Sequence, residues 1–215
     1  MPTVQPGPLD VIGYRGISLT TVDYRYIFQR GFDQKRDSVT DEPYEMYYNS
    51  RVDDADPRSG DMASISANCV STQISVAALF PNDIHQEWTW IFAVYVLQGF
   101  NTYEQQQLDA WEIISRHPEL HESYLLGRVT WPIQAEEFAA VSIPGRHVLG
   151  CVRCQRQWTS NDWKDGGQYI LDDTLYWNTV NIDPVLNPAR VAVIRNFLKD
   201  QIRNHRTGDL PMTNE

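Results

Sequence analysis

The chain has 215 residues, 42% of them hydrophobic and 12% aromatic, with charged residues at 21%: enough apolar material for a core and too little charge for a disordered chain. A formal net charge of −10 argues against generic binding to a nucleic-acid backbone or an anionic membrane, both of which need a basic footprint. No apolar run reaches the length of a bilayer span, and residues 1–10 show neither a basic region nor an apolar stretch of the signal-peptide kind.

The length suits one domain over 1–215, with 1–10 as an irregular lead-in and 206–215 as a flexible tail. Residues 11–14 read as a short apolar strand. Residues 21–30 carry Val22, Tyr26, Ile27 and Arg30 at helical spacing, and Gly31 is a natural stop. Residues 33–61 are polar, contain Pro43 and Pro57, and form a long excursion with one helical turn at 45–48. An extended stretch at 62–70 leads to a two-turn helix at 73–80, closed by Pro81. Residues 87–97, rich in Trp, Ile, Phe, Val and Tyr, predict a central strand. Helices follow at 103–116, with Leu108, Trp111, Ile113 and Ile114, and at 118–126. Residues 129–133 lead into a strand at 134–141, and Pro144-Gly145 is a turn. The strand 148–158 is met by a returning strand at 168–177. Asn187-Pro188 then reads as cap and first-turn proline of a helix at 188–205, with Val191, Ile194, Leu198 and Ile202 on one face. Short strands with segregated helices give an α+β fold.

Several signals carry little chemistry. Cys151 and Cys154 form a CxxC, but zinc needs two further ligands and Cys69 alone does not supply them. A redox pair would open a helix, whereas these cysteines lie on a strand, as two core thiols. His117 and His121 are interrupted by Pro118 and lack a third ligand, and Gly166-Gly167 reads as a hairpin turn. Trp88, Trp90 and Trp111 fit core positions; Trp158, Trp163 and Trp177 fit a surface, as in a non-catalytic carbohydrate- or protein-binding module.

Three short stretches remain: Tyr14-Arg15, Ser71-Thr72 and Gln134-Ala135-Glu136. An arginine in an apolar context needs a partner, and its guanidinium can bind a pyrophosphate by two hydrogen bonds. A carboxylate beside a ribose stabilises the positive charge that builds when a glycosidic bond breaks, and a nearby hydroxyl can hold that carboxylate in place. Gln134 and Glu136, two apart on the expected strand, share a face, while Glu137 points the other way. Taken singly, these residues leave open a salt bridge for Arg15, a strand-end turn for Ser71-Thr72 and a solvated strand face for Gln134 and Glu136.

In this order the stretches resemble the mono-ADP-ribosyltransferase toxins of the cholera and pertussis type. Residues 11–15, followed by Ile27-Phe28-Gln29-Arg30-Gly31-Phe32, resemble that family's Tyr-Arg pair and "IF-x-x-GF" run; its Asp-Ser-Arg-Pro-Pro segment is replaced by Gly16-Ile17-Ser18-Leu19-Thr20. Cys69-Val70-Ser71-Thr72-Gln73 resembles "x-V-S-T-S", with Gln73 in place of the last serine. Gln134-Ala135-Glu136 with Ile143-Pro144 resembles the pertussis-like Gln-x-Glu followed by Ile-Pro.

The resemblance implies a domain of two small packed sheets flanked by helices around an NAD cleft. It implies NAD as a consumed substrate, with no metal. Tyr14, Arg15, Gly16, Ser71, Thr72 and Glu136 would contact NAD, and Arg25 is a rival for the arginine role. Glu136, Gln134, Arg15 and Ser71 would form the catalytic set, with Ser71 supporting Glu136. Trp131 and Gln134 would recognise the acceptor.

Arginine-modifying members carry Glu-x-Glu, so Gln134 implies a non-arginine side chain of a host protein, with a guanine acceptor disfavoured by the acidity. NAD hydrolysis with water as acceptor stays open. The resemblance also implies a secreted or translocated effector acting in the host cytosol.

Overall fold

The structure, a computed structural model, describes residues 11–17, 23–32, 68–79, 88–96, 100–101, 136–140, 142–159, 166–179 and 188–211. In chain order the strands among them are β1 (Val11–Ile17), β2 (Gly31–Phe32), β3 (Asn68–Ser71), β4 (Trp88–Val96), β5 (Phe100–Asn101), β6 (Glu137–Ala140), β7 (Ile143–Pro144), β8 (Val148–Trp158), β9 (Gly167–Trp177) and β10 (Thr207–Leu210). The helices are α1 (Tyr24–Arg30), α2 (Ile74–Leu79) and α3 (Pro188–Asn204), with a 3-10 turn at Gly145–His147. The chain groups into two compact units: one takes residues 1–11, 33–70 and 96–142, the other 12–32, 71–95 and 143–215.

The larger unit is built on a sheet with strand order β10-β9-β8-β4-β1. β4 pairs antiparallel with β8 (Ile91↔Val152), β8 with β9 (Arg156↔Tyr169) and β9 with β10 (Tyr169↔Gly208). β4 is central because it is apolar on both faces: Ile91 through Val96 are all buried, as a continuous hydrophobic run requires. Arg156, only 1% exposed, is accommodated beneath the sheet by donating from Nη1 to the Leu79 carbonyl (3.3 Å) and lying 5.1 Å from the Trp158 ring. α3 presents Val191, Ile194 and Leu198 as a buried stripe at helical spacing. A separate two-stranded sheet pairs β2 with β7 antiparallel. In the other unit β3, β6 and β5 are neighbours in that order, and β5 pairs antiparallel with β6 (Phe100↔Ala139).

The α+β class holds, but the sheets differ from expectation: one is extended and only the second is small. Residues 206–215 are not simply a tail, since β10 closes the edge of the extended sheet beside β9. β1 runs on to Ile17, where Thr89 Oγ1 donates to the Ile17 carbonyl (2.7 Å), so Arg15 and Gly16 lie within the strand rather than after it. α1 starts later than the spacing suggested, because Asp23 caps it by accepting from the Arg25 N–H (2.9 Å). Its buried face is Ile27 and Phe28, with Tyr26 and Arg30 outside. Trp88 is 36% exposed and not a core residue: at the start of β4 it lies under the Arg153 guanidinium, 4.1 Å from the ring centroid. The helices expected at 45–48, 103–116 and 118–126, and Trp111, Trp163, His117 and His121, lie outside the described residues.

Candidate functional site

Tyr14 in β1 stands directly opposite Ser71, the last residue of β3. Two of the sequence stretches are thus brought together by strand register. Ser71 is buried, and its Oγ accepts the N–H of Gln73 (2.9 Å), while the Gln73 carbonyl accepts the Ala77 N–H (3.2 Å) and starts α2. A short side-chain turn therefore fixes the Ser71 hydroxyl at the junction of strand and helix. Ser71 is followed by Thr72, half-buried in the bend. The hydroxyls of Tyr14 and Thr72 are both buried with no hydrogen-bond partner among the described residues. Burial pushes the Tyr14 hydroxyl up to about 12, so it remains a proton donor at neutral pH.

Arg15 and Gly16 are half-buried in the same strand. Successive strand residues face opposite ways, so Arg15 is turned from the Tyr14 side. Its guanidinium lies over the Phe32 ring, 5.2 Å from the centroid. That cation–π contact orients the guanidinium head. Phe32 is anchored edge-on against Phe92 (5.6 Å), which meets Phe28 in the same way (6.3 Å).

β2 pairs with β7 in the register Gly31↔Pro144 and Phe32↔Ile143. The Gly-Phe and Ile-Pro pieces, more than a hundred residues apart in sequence, are thus paired in space. Gly31 has φ +80°, and a Cβ there would come within 1.9 Å of the Ile143 carbonyl oxygen, so this corner admits only glycine. The rival Arg25 is on the surface, ion-paired with Asp23 at 3.7 Å with its side chain 71% exposed.

Glu136 belongs to the other unit. It was expected on a strand, sharing a face with Gln134. It stands instead in a turn one residue before β6, exposed, with φ +44°. β6 begins only at Glu137, so the period-2 argument does not apply to Glu136. An L-residue in left-handed backbone carries roughly 1–2 kcal/mol of strain, which must be held by its surroundings. Gln134 and Trp131 lie outside the described residues.

Cys151 and Cys154 are both buried free thiols on β8. Burial raises both, Cys154 to about 12 and Cys151 further, so neither is a nucleophile at neutral pH. Two contributors escaped the sequence reading. The Gly-Phe pair was visible, but not that its ring would carry the Arg15 head. The full burial of Asn178 after β9 is likewise not visible in the sequence.

No family model matches the chain, and no curated protein matches it in sequence. Among solved structures it is similar to full-length CARDS toxin at 12% identity and TM-score 0.47, over 82% of this chain and 30% of that one. It is similar to EcPltA at 12% identity and TM-score 0.46, over 82% of this chain and 90% of that one. Nicked CARDS toxin matches at 11% identity and TM-score 0.47, over 82% of this chain and 32% of that one. The chain thus spans less than a third of the length of the CARDS toxin. At TM-scores of 0.46 and 0.47 these likenesses carry no argument about this chain.

Proposed function

We propose that this protein transfers ADP-ribose from NAD to a non-arginine side chain of a host protein. In this reaction the bond between ribose C1′ and the nicotinamide nitrogen breaks and nicotinamide leaves with the electron pair. The acceptor atom then bonds to C1′ and gives up its proton. Arg15 holds the pyrophosphate. Tyr14, Gly16 and Thr72 line the dinucleotide, and Ser71 supports Glu136. Glu136 stabilises the oxocarbenium-like ribose, while Gln134 and Trp131 address the acceptor.

The observation that carries this reading is the pairing of sequence-distant motif pieces: Tyr14 with Ser71, Phe32 with Ile143, and Arg15 over Phe32. The left-handed backbone at Glu136 adds to it, since strain is retained where a specific side chain must stay.

The test is nicotinamide release from NAD by wild type and Glu136→Gln, with and without eukaryotic lysate. Release that rises with lysate and falls about 10²–10³-fold in the variant is expected. Release indifferent to lysate would make the protein an NAD glycohydrolase. Loss in Glu137→Gln but not in Glu136→Gln would move the carboxylate by one residue. A second reading, a non-catalytic binding module, is favoured by the exposed Trp88–Arg153 stack, and absence of any release would select it.

A further inference from the structure

Asn178 is 0% exposed, and no step of the proposed reaction uses it. Its Nδ2 donates to the carbonyls of Gly145 (2.9 Å), Val148 (2.9 Å) and Phe28 (3.3 Å). Its backbone N–H donates to the Leu149 carbonyl (3.0 Å). Three carbonyl oxygens around one side-chain end fix which end it is, since only the amide NH2 can face three acceptors.

Each carbonyl belongs to an element connected to the Arg15 corner, by chain or by packing. Phe28 is in α1, which runs through Gly31 into β2. Gly145 follows β7 directly. Val148 opens β8, whose pairing with β4 places Cys151 opposite Phe92, against which Phe32 packs. A Cβ on Gly145 would come within 2.5 Å of the carbonyls of Phe28 and Gln29, so α1 and the 3-10 turn are in direct backbone contact where Asn178 clasps them. Both strands of the β2–β7 pair are therefore tied through one buried amide, and β2 supplies the ring under the Arg15 guanidinium.

We infer that Asn178 is a positioning residue for the dinucleotide: it latches α1 to the 3-10 turn, and so sets the height of Phe32 and with it the direction of the Arg15 head. The inference rests on the proposed use of NAD. The latch acts on binding of the pyrophosphate and not on the carboxylate, so its loss falls on KM for NAD rather than on kcat. The side chain must donate from one nitrogen in two directions; serine donates in only one, and alanine in none.

The test uses the full chain with Asn178→Ser and Asn178→Ala. Nicotinamide release gives KM and kcat. Side-chain NMR of Arg15 reads the ring current of Phe32, with Phe32→Leu as the reference for its complete loss. In Asn178→Ser, KM for NAD is expected to rise about tenfold with kcat within about twofold. The Arg15 resonance should move toward its Phe32→Leu position, and further in Asn178→Ala. A folded Asn178→Ser with unchanged KM and an unmoved Arg15 resonance would overturn the inference.

Should neither variant fold, wild-type hydrogen exchange decides. Reciprocal coupling requires saturating NAD to slow exchange of the Asn178 side-chain amide, and an unaltered rate overturns the latch. A wild type that neither turns over nor binds NAD removes the proposed function instead. The Arg15 resonance in the variants then still decides whether Asn178 sets that side chain.

Discussion

Of the three described positions with left-handed backbone, Gly31, Glu136 and Gly166, the first two treat it in opposite ways. At the corner under Arg15 the position is filled by Gly31, φ +80°, where no side chain is wanted and none would fit. Before β6 the position is filled by Glu136, φ +44°, a residue with a Cβ and a charge. Among the described residues Glu136 is the one non-glycine residue with positive φ, and Gly166, φ +79°, again uses glycine. The first corner is shaped by packing, so glycine removes strain there. The second keeps the strain together with the carboxylate. Retained strain points to a side chain that cannot be given up.

The comparison breaks most sharply at Gly31. Gly31→Ala sets a Cβ within 1.9 Å of the Ile143 carbonyl oxygen and 2.5 Å of the Gly145 nitrogen, in a backbone region alanine disfavours. Backbone cannot swing aside as a long side chain can, so the β2–β7 pair must separate. A loss of about 3 kcal/mol or more is expected from urea unfolding, with insoluble protein as the extreme outcome. A midpoint close to wild type would mean that the corner is pliable and does not hold Phe32.

Arg15→Lys tests what the corner is for. Lysine keeps the charge but loses the planar fork and most of the stacking on Phe32. KM for NAD is expected to rise about tenfold with a smaller change in kcat, measured by nicotinamide release. An Arg25→Lys variant should match wild type, since that side chain is on the surface with Asp23. The reverse result would transfer the phosphate role to Arg25.

Glu136→Gly reverses the logic of the second turn. It removes the left-handed strain and the carboxylate together, so stability should rise by about 1 kcal/mol while turnover is lost. A fall in the urea midpoint would show that the turn depends on the glutamate side chain, and the contrast with Gly31 would fail.

How far the sequence reaches can be seen at these same residues. The runs at 88–96, 148–158 and 167–177 were legible because apolar and aromatic residues dominate them, and α3 because Val191, Ile194 and Leu198 recur at helical spacing. Tyr14, Arg15, Ser71 and the Gly-Phe pair were legible as motif pieces. Their pairing was not, because register between strands 50 or more residues apart leaves no local trace. Glu136 was misread because a strand pattern of alternating polar residues looks the same whether its first member is extended or turned. β10 was missed because Thr207-Gly208-Asp209-Leu210 has only one buried apolar residue. It joins the sheet through backbone pairing to β9, and Gly208 fits there because a Cβ would press on the Tyr169 ring at 2.8 Å. The role of Asn178 is not legible because its work is hydrogen bonding to main chain, for which residue type alone is uninformative.

The smallest expected effect concerns Tyr14, which links the arginine strand to Ser71. Its hydroxyl is buried without a hydrogen-bond partner among the described residues, so Tyr14→Phe should leave stability at pH 7 within about 1 kcal/mol of wild type, or raise it. At high pH the two proteins should differ in a predictable direction. Burial lifts the folded pKa to about 12 from 10.0, so above pH 10 the unfolded chain loses this proton first. The unfolded state then binds fewer protons than the native state, and stability falls as pH rises. The Tyr14 contribution is therefore full below pH 10 and lost progressively by pH 12, up to about 3 kcal/mol in total. Cys154, raised to about 12 from 9.0, adds a fall in the same sense that begins nearer pH 9. Tyr14→Phe should remove only the part that begins at pH 10, measured as urea midpoints across pH 8–12. Identical slopes for the two proteins would mean that the Tyr14 hydroxyl reaches solvent or a partner. If the variant also raises KM for NAD, the hydroxyl has its partner in the dinucleotide, and the arginine strand contributes two contacts to it rather than one.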